Sequence, residues 1–200
     1  MNEREATLEL KGALESAKIE LENHKVEKLY LFIEQLQWYN SIHNITGAKT
    51  KEAIIDNIID SILPTMFIPQ PKSLLDVGTG AGFPGLLLSI VWDESATTLA
   101  EPINKRASFL RLMSQELELP HVTIYKNRVE NLEAKPFKLI SSRAVTNTKL
   151  LLDLTAKVSN NETEYLFYKG SKVYEEIETL NSQLKYDIVR KGKRNYLWIK

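Results

Sequence analysis

Cysteine is absent from the 200 residues. That excludes disulfides, thiolate metal sites and cysteine nucleophiles. Histidine is scarce, and His24, His43 and His121 are scattered without zinc-ligand spacing. No apolar run approaches the roughly 18 residues that cross a bilayer. The N-terminal stretch MNEREATLEL is charged and lacks the apolar centre of a secretory signal. Net charge is zero, so no whole-chain basic footprint marks nucleic acid. Glycine and proline are ordinary in number, which sets aside fibrous and disordered chains. These absences together lead to the expectation of a cytoplasmic protein with no metal centre and no membrane span.

What is present is a 43% apolar composition, enough for one sizeable core. Charge is uneven. Residues 1–22 hold six acids and three bases, whereas residues 185–200 hold six bases (Lys185, Arg190, Lys191, Lys193, Arg194, Lys200) and one acid. The first third reads helical: Leu8, Leu10 and Leu14 sit among charges, and Val26, Leu29, Tyr30, Ile33 and Leu36 recur at three- and four-residue steps. That second helix should end near Asn40–Thr46, and a third, KEAIIDNIIDSIL, should stop at Pro64. The expected division is a helical region over 1–66 and a larger α/β unit over 67–200, forming one compact body.

After Lys72 the rhythm changes. SLLDV, TTLAE, VTIYK, FKLISSR and EYLFYKG read as strands, with amphipathic or apolar helical stretches between them, including INKRASFLRLMSQELEL, KLLLDLTAKV and VYEEIETLNSQL. Alternation of this kind means parallel βαβ units. YDIVRK and NYLWIK are separated by a short turn near Gly192, so they must run antiparallel. Five βα units closed by such a hairpin are the shape of class I, Rossmann-like methyltransferases: a seven-stranded, mostly parallel sheet with an antiparallel C-terminal hairpin. The aromatic residues Trp38, Tyr39, Phe67, Phe83, Tyr125, Phe167, Tyr168 and Trp198 are spread through these elements and read as core.

LLDVGTGAGFPG carries the chemistry. Gly78, Gly80 and Gly82 let the backbone turn tightly and approach a ligand. Asp76 at the strand end would repel a pyrophosphate on the following helix N-terminus, whereas S-adenosylmethionine (SAM) has no phosphate and carries a sulfonium and an ammonium. Glu101, about twenty residues on, can accept both ribose hydroxyls, which fits NAD as well as SAM. No Gly-Lys-Ser/Thr ending is present, so ATP hydrolysis is not expected. The missing cysteine removes carbon-5 pyrimidine methylation. The place of an Asn/Asp-Pro-Pro-aromatic turn reads SSRAV, which disfavours exocyclic amines. Ring nitrogens such as guanine N7, hydroxyls and small molecules remain. Guanine N7 has a lone pair and no proton to lose, so no general base is required.

NSIHNIT, IIDSI, DVGTGAGFPGLLLSI, NKRASFL, RVE, SSRAV and FYKG together resemble the RsmG family, also called GidB, over most of the chain from about Leu29 to Lys200. The resemblance implies SAM-dependent methylation of a 16S ribosomal RNA guanine at N7. A charge-neutral chain with a basic rim should bind free RNA weakly, so the RNA is expected to be met in the small ribosomal subunit or an assembly intermediate, by a monomer. The resemblance also implies that Gly78, Gly80 and Phe83 form the SAM pocket, Glu101 holds the ribose, Val129 and Glu130 lie beside the adenine, and Arg143 borders cofactor and target as the one catalytic, positioning group. Asn44 and Lys169 are implied as RNA contacts, against a capping role for Asn44 and a solvated strand-end position for Lys169. Apart from the resemblance, the loop bases Lys49, Lys51 and Lys172 and the basic tail are expected to contact RNA. Two departures stand out: Asp56 and Asn57 replace the Arg-His often found there, and Glu101 replaces an Asp. A small-molecule or protein acceptor is the alternative.

Overall fold

The computed structural model describes residues 3–178, 180, 184–192 and 194–200. Three helices come first, α1 (Glu3–Ala17), α2 (Asn23–His43) and α3 (Lys51–Ile62). Strands and helices then alternate: β1 (Ser73–Val77), α4 (Gly85–Val91), β2 (Ala96–Ala100), α5 (Asn104–Glu116), β3 (Val122–Tyr125), β4 (Leu139–Arg143), α6 (Thr148–Thr155), β5 (Glu164–Lys169), α7 (Val173–Glu178), β6 (Tyr186–Lys191) and β7 (Arg194–Ile199). They form a seven-stranded sheet in the order β3-β2-β1-β4-β5-β7-β6. The first five strands are parallel, and β7 runs antiparallel to both β5 and β6. The order reverses between β1 and β4, and a ligand crevice is expected at the carboxyl ends of those two strands.

The element ends follow local chemistry. The repeat of Val26, Leu29, Ile33 and Leu36 buries one face of α2, and Asn44 closes the helix in the left-handed region at φ 47°. The Thr50 hydroxyl accepts the Ala53 N–H and starts α3. Pro64 opens a 3-10 turn over Leu63–Met66 that ends α3 as expected. Between β3 and β4 the chain makes only a 3-10 turn at Val129–Asn131, because KNRVENLEAKP is polar and proline-stopped with no apolar stripe for a longer helix. The expectation that α7 runs on to Leu184 falls partly on residues 179 and 181–183, outside the described ones.

One core cluster joins the two parts of the chain. Leu10, Leu29, Phe32 and Ile58 pack with Leu86 and Leu87 of α4 and Phe109 and Leu110 of α5. A second cluster lies on the other face of the sheet, with Leu75, Val77, Ile140, Leu151, Phe167 and Leu197. The helical region therefore roofs one face of the sheet, and α4 is buried from Gly85 to Ile90. Trp38 departs from the expected core, being 58% exposed. It points off α2 away from the Leu29–Ile33–Leu36 face. Among the described residues no helix is long and apolar enough to cross a membrane.

Candidate active site

The glycine loop is shaped by left-handed backbone angles and, at Gly78, by a contact that leaves no room for a side chain. Gly78, Gly80 and Gly82 hold φ of 68°, 62° and 101°. A Cβ on Gly78 would lie 2.5 Å from Cγ2 of Val145, and one on Gly85 would lie 2.4 Å from Cβ of Asp76. A Cβ on Gly80 would meet open space, so only its backbone angle asks for glycine.

Asp76 serves this loop from beneath. It is fully buried, and its Oδ2 accepts the Gly85 N–H at 2.9 Å while its Oδ1 accepts the Ser141 hydroxyl at 2.6 Å. Burial pushes its carboxyl up to about 6, with the Ser141 hydrogen bond pulling the other way. The sequence reading placed Asp76 beside the cofactor charge. That is corrected here: Asp76 does not line the cleft, and its oxygens tie β1 to β4 and to the start of α4. The reason is that Gly85 has no side chain, so the carboxylate fits directly under the helix.

The cleft beyond the loop measures about 420 Å³, within the usual range for small-molecule sites. Its floor is Gly78, Gly80 and Phe83. Glu101, Pro102 and Ile103 follow β2, Arg143 ends β4 and Val145 lies just beyond it, Arg106 comes from α5, and Ile45–Gly47 come from the loop between α2 and α3. Glu101 is only 2% exposed. Its Oε2 accepts the Gly80 N–H at 2.9 Å and its Oε1 the Ile103 N–H at 2.8 Å. A carboxylate oxygen has two lone-pair sites, so each still has one for a diol. Glu101 is the one acid on the cleft wall among the described residues, and no histidine joins it.

Arg143 closes the opposite side. Its Nη1 donates to Asn57 Oδ1 at 2.8 Å and to Asp60 Oδ2 at 3.2 Å. Its guanidinium carbon stands 4.9 Å from the Phe83 ring centroid. Asp60 also accepts Arg194 Nε and Nη2, each at 2.9 Å, and the Tyr196 hydroxyl at 2.9 Å. Burial, followed by the negative charge of Asp60, holds the Tyr196 hydroxyl well above its ordinary range.

Gly78, Gly80, Phe83, Glu101 and Arg143 thus converge on one cleft. Val129 and Glu130 do not line it. Val129 is buried in the second core cluster beside Val77 and Ala100, and Glu130 is half-buried on the 3-10 turn. Asn44 is exposed as the left-handed cap of α2, and its carbonyl accepts Lys105 Nζ at 3.4 Å. Lys169, implied as an RNA contact, is held by protein partners instead of standing free in solvent. It is 8% exposed, and its Nζ donates to Glu176 at 2.8 Å and to the Thr146 carbonyl at 3.0 Å. Burial raises the Glu176 carboxyl, but hydrogen bonds from Lys169 and Thr148 outweigh it, so the group lies below its ordinary value. Lys51 is likewise corrected, being buried and ion-paired with Glu9 at 3.3 Å. Lys49, Lys172, Lys185, Arg190, Lys191 and Lys200 are exposed, and Lys193 is outside the described residues. A second hollow of about 320 Å³ shares Ala144 with the cleft, and its lining includes Tyr168, Lys169, Lys172, Glu176 and Arg194.

Sequence reasoning missed two participants. Val145 sits over Gly78 in an exposed loop with no motif of its own. Asn57 was read only as a departure from a familiar pair, and its partnership with Arg143 spans 86 positions of sequence.

The family model for rRNA small subunit methyltransferase G (GidB) matches residues 25–196. The ribosomal RNA small subunit methyltransferase G of Aliarcobacter butzleri is 42% identical over 191 residues, which are 96% of this chain and 98% of that one. The protein of the same name from Wolinella succinogenes is 39% identical over 189 residues, 94% of this chain and 96% of that one. Among solved structures, an O-methyltransferase from Bacillus cereus in complex with SAH superposes with a TM-score of 0.61 at 13% identity, covering 84% of this chain and 90% of that one. Ribosomal protein L11 methylase from Lactobacillus delbrueckii subsp. bulgaricus gives 0.58 at 17% identity, covering 73% and 78%. At these identities the structural matches speak to the fold alone.

Proposed function

The chain belongs to the rRNA small subunit methyltransferase G family, and we propose that it methylates N7 of a guanine in 16S rRNA. It is a SAM-dependent rRNA methyltransferase. The observation that carries the N7 reading is the state of the acids around the site: Glu101, the one acid among the cleft's described wall residues, is already fixed by two backbone N–H groups, and Glu176 of the adjoining hollow is held by Lys169 and Thr148. A nucleophile that must lose a proton would need a base there. A purine N7 does not.

SAM supplies an electrophilic methyl group. The chain's own residues bind and align. Gly78 and Gly80 let the backbone approach closely, Glu101 offers one lone pair per oxygen to the two ribose hydroxyls, and Phe83 and Arg143 wall the side from which the target enters. Holding two reactants in line is by itself worth roughly 7–11 kcal/mol. The hollow that shares Ala144 with the cleft is the place for the target nucleotide, with Lys172 exposed at its rim. Asn44 and Lys49 on the neighbouring hollow offer the RNA a polar edge. Residues 1–66 and 67–200 act as one compact unit, a monomer without metal, in the cytoplasm.

The exposed bases lie on a chain of zero net charge, so free RNA should bind weakly and a shaped small subunit or assembly intermediate strongly. Methyl transfer from labelled SAM to small subunits lacking the modification should exceed transfer to naked 16S rRNA at least tenfold. Equal transfer to both would remove the requirement for a shaped substrate.

A further inference from the structure

We propose that Asn57 of α3, with Asp60, is a positioning residue that locks the Arg143 guanidinium away from the purine N7 it would otherwise occupy. The inference rests on the guanine-N7 reading above.

A guanidinium carries five N–H donors. Arg143 spends Nη1 on Asn57 Oδ1 and Asp60 Oδ2, at 2.8 and 3.2 Å. No protein bond to its Nε or Nη2 is found among the described residues. Its face packs on Phe83. Three elements therefore fix the plane of the group: β4, the glycine loop and α3. Asp60 is not dedicated to this task, since the same carboxylate takes both Arg194 nitrogens and the Tyr196 hydroxyl. Asn57 is the better-placed anchor. Its Nδ2 donates to the Ala53 carbonyl at 2.7 Å, which fixes the amide with the oxygen toward Arg143. It is also uncharged, so it holds the guanidinium without cancelling its charge.

The chemistry explains why a lock is needed. Arginine prefers a bidentate contact with guanine, one donor to O6 and one to N7. A guanidinium free to swivel beside the target would take that contact and hydrogen-bond the lone pair that must attack the methyl group. Held by Asn57, Arg143 can offer its remaining donors to O6 or to a phosphate oxygen while N7 stays bare. Releasing the lock should strengthen a dead-end complex and slow the chemistry.

Two measurements separate the lock from the reading it rests on. In protein labelled with ¹⁵N-arginine, Arg143 should show hindered rotation about its Cζ–Nη1 bond, and Asn57→Leu should release it with little change in melting temperature. Free rotation in the unsubstituted protein, or no change on substitution, would overturn the proposal whatever the substrate. With small subunits, Asn57→Leu should lower kcat about tenfold or more while KM stays level or falls. Asn57→Gln, which keeps an uncharged amide with both acceptor and donor, should recover part of the rate. In an Arg143→Lys background the Asn57→Leu change should add little. A rise in KM with kcat intact, or full additivity with Arg143→Lys, would contradict the lock. If the unsubstituted protein labels no guanine N7, the reading fails while the rotation measurement still decides whether the guanidinium is held.

Discussion

Asp76 near the end of β1 and Glu101 just past the end of β2 each accept a backbone N–H, of Gly85 at the start of α4 and of Gly80 in the glycine loop, yet they do different work. Asp76 sits under Gly85 with no path to solvent. Glu101 holds Gly80 and keeps a face on the cleft. Replacing Glu101 by Gln keeps the volume, loses the charge and turns an N–H2 toward one of the two backbone donors. SAM affinity should fall at least tenfold by calorimetric titration, as expected for hydrogen bonds to a charged group, and an unchanged affinity would remove Glu101 from the ribose. Asp76 gives a pH signature. Its folded value, about 6, lies above its ordinary 3.8, so between the two the native chain keeps a proton that the unfolded chain has lost. Stability therefore falls as pH rises through that window, by about 3 kcal/mol in all, and the loss is complete above the folded value. Urea unfolding of Asp76→Asn should lack that decline. At this scale the sequence showed which residue types stood at strand ends but not which way they faced. Asp76 and Lys51 find Ser141 and Glu9 on distant elements, and Lys169 finds Glu176 on the next helix only once that helix folds back over β5; burial of either kind has no local signature.

At the scale of elements, the periodicity of α2 and the apolar run of β1 were readable because each buries one face or both faces of a regular element. The hairpin β6–β7 followed from its short turn. Its place in the sheet did not: β7 inserts between β5 and β6, a pairing fixed by packing beyond the turn. The crossover from β3 to β4, reduced to a 3-10 turn, was equally silent. The glycine loop was legible as a loop, and the structure now separates its members. Gly85→Ala must push into Asp76 and Leu99 at 2.4 and 2.6 Å and should cost about 1–3 kcal/mol or more of stability. Gly80→Ala has room for its Cβ and should cost about 1 kcal/mol for its left-handed backbone, while weakening SAM binding. Denaturant melts and SAM titrations of the two variants check this order, and a larger stability loss for Gly80→Ala would contradict it.

The whole molecule joins a helical roof to a methyltransferase sheet through one continuous core, with Phe32 of α2 edge-on to Phe83 of the glycine loop at 5.5 Å. That contact makes the roof part of the active site: α3 supplies Asn57 and Asp60 to Arg143, and the loop before it supplies Ile45–Gly47 to the cleft wall. The two-part division was visible in the sequence as a change of rhythm after Lys72. The functional dependence of one part on the other was not, since it runs through side chains more than eighty positions apart. Everything in this arrangement serves transfer of a methyl group to a base that needs no deprotonation, and that claim has one direct test. Small ribosomal subunits from cells lacking this protein are incubated with it and labelled SAM, and the RNA is digested to nucleosides. The account predicts label in 7-methylguanosine from the 16S RNA, abolished by Arg143→Ala. Label in any other nucleoside, or none in RNA despite SAM binding, would contradict it.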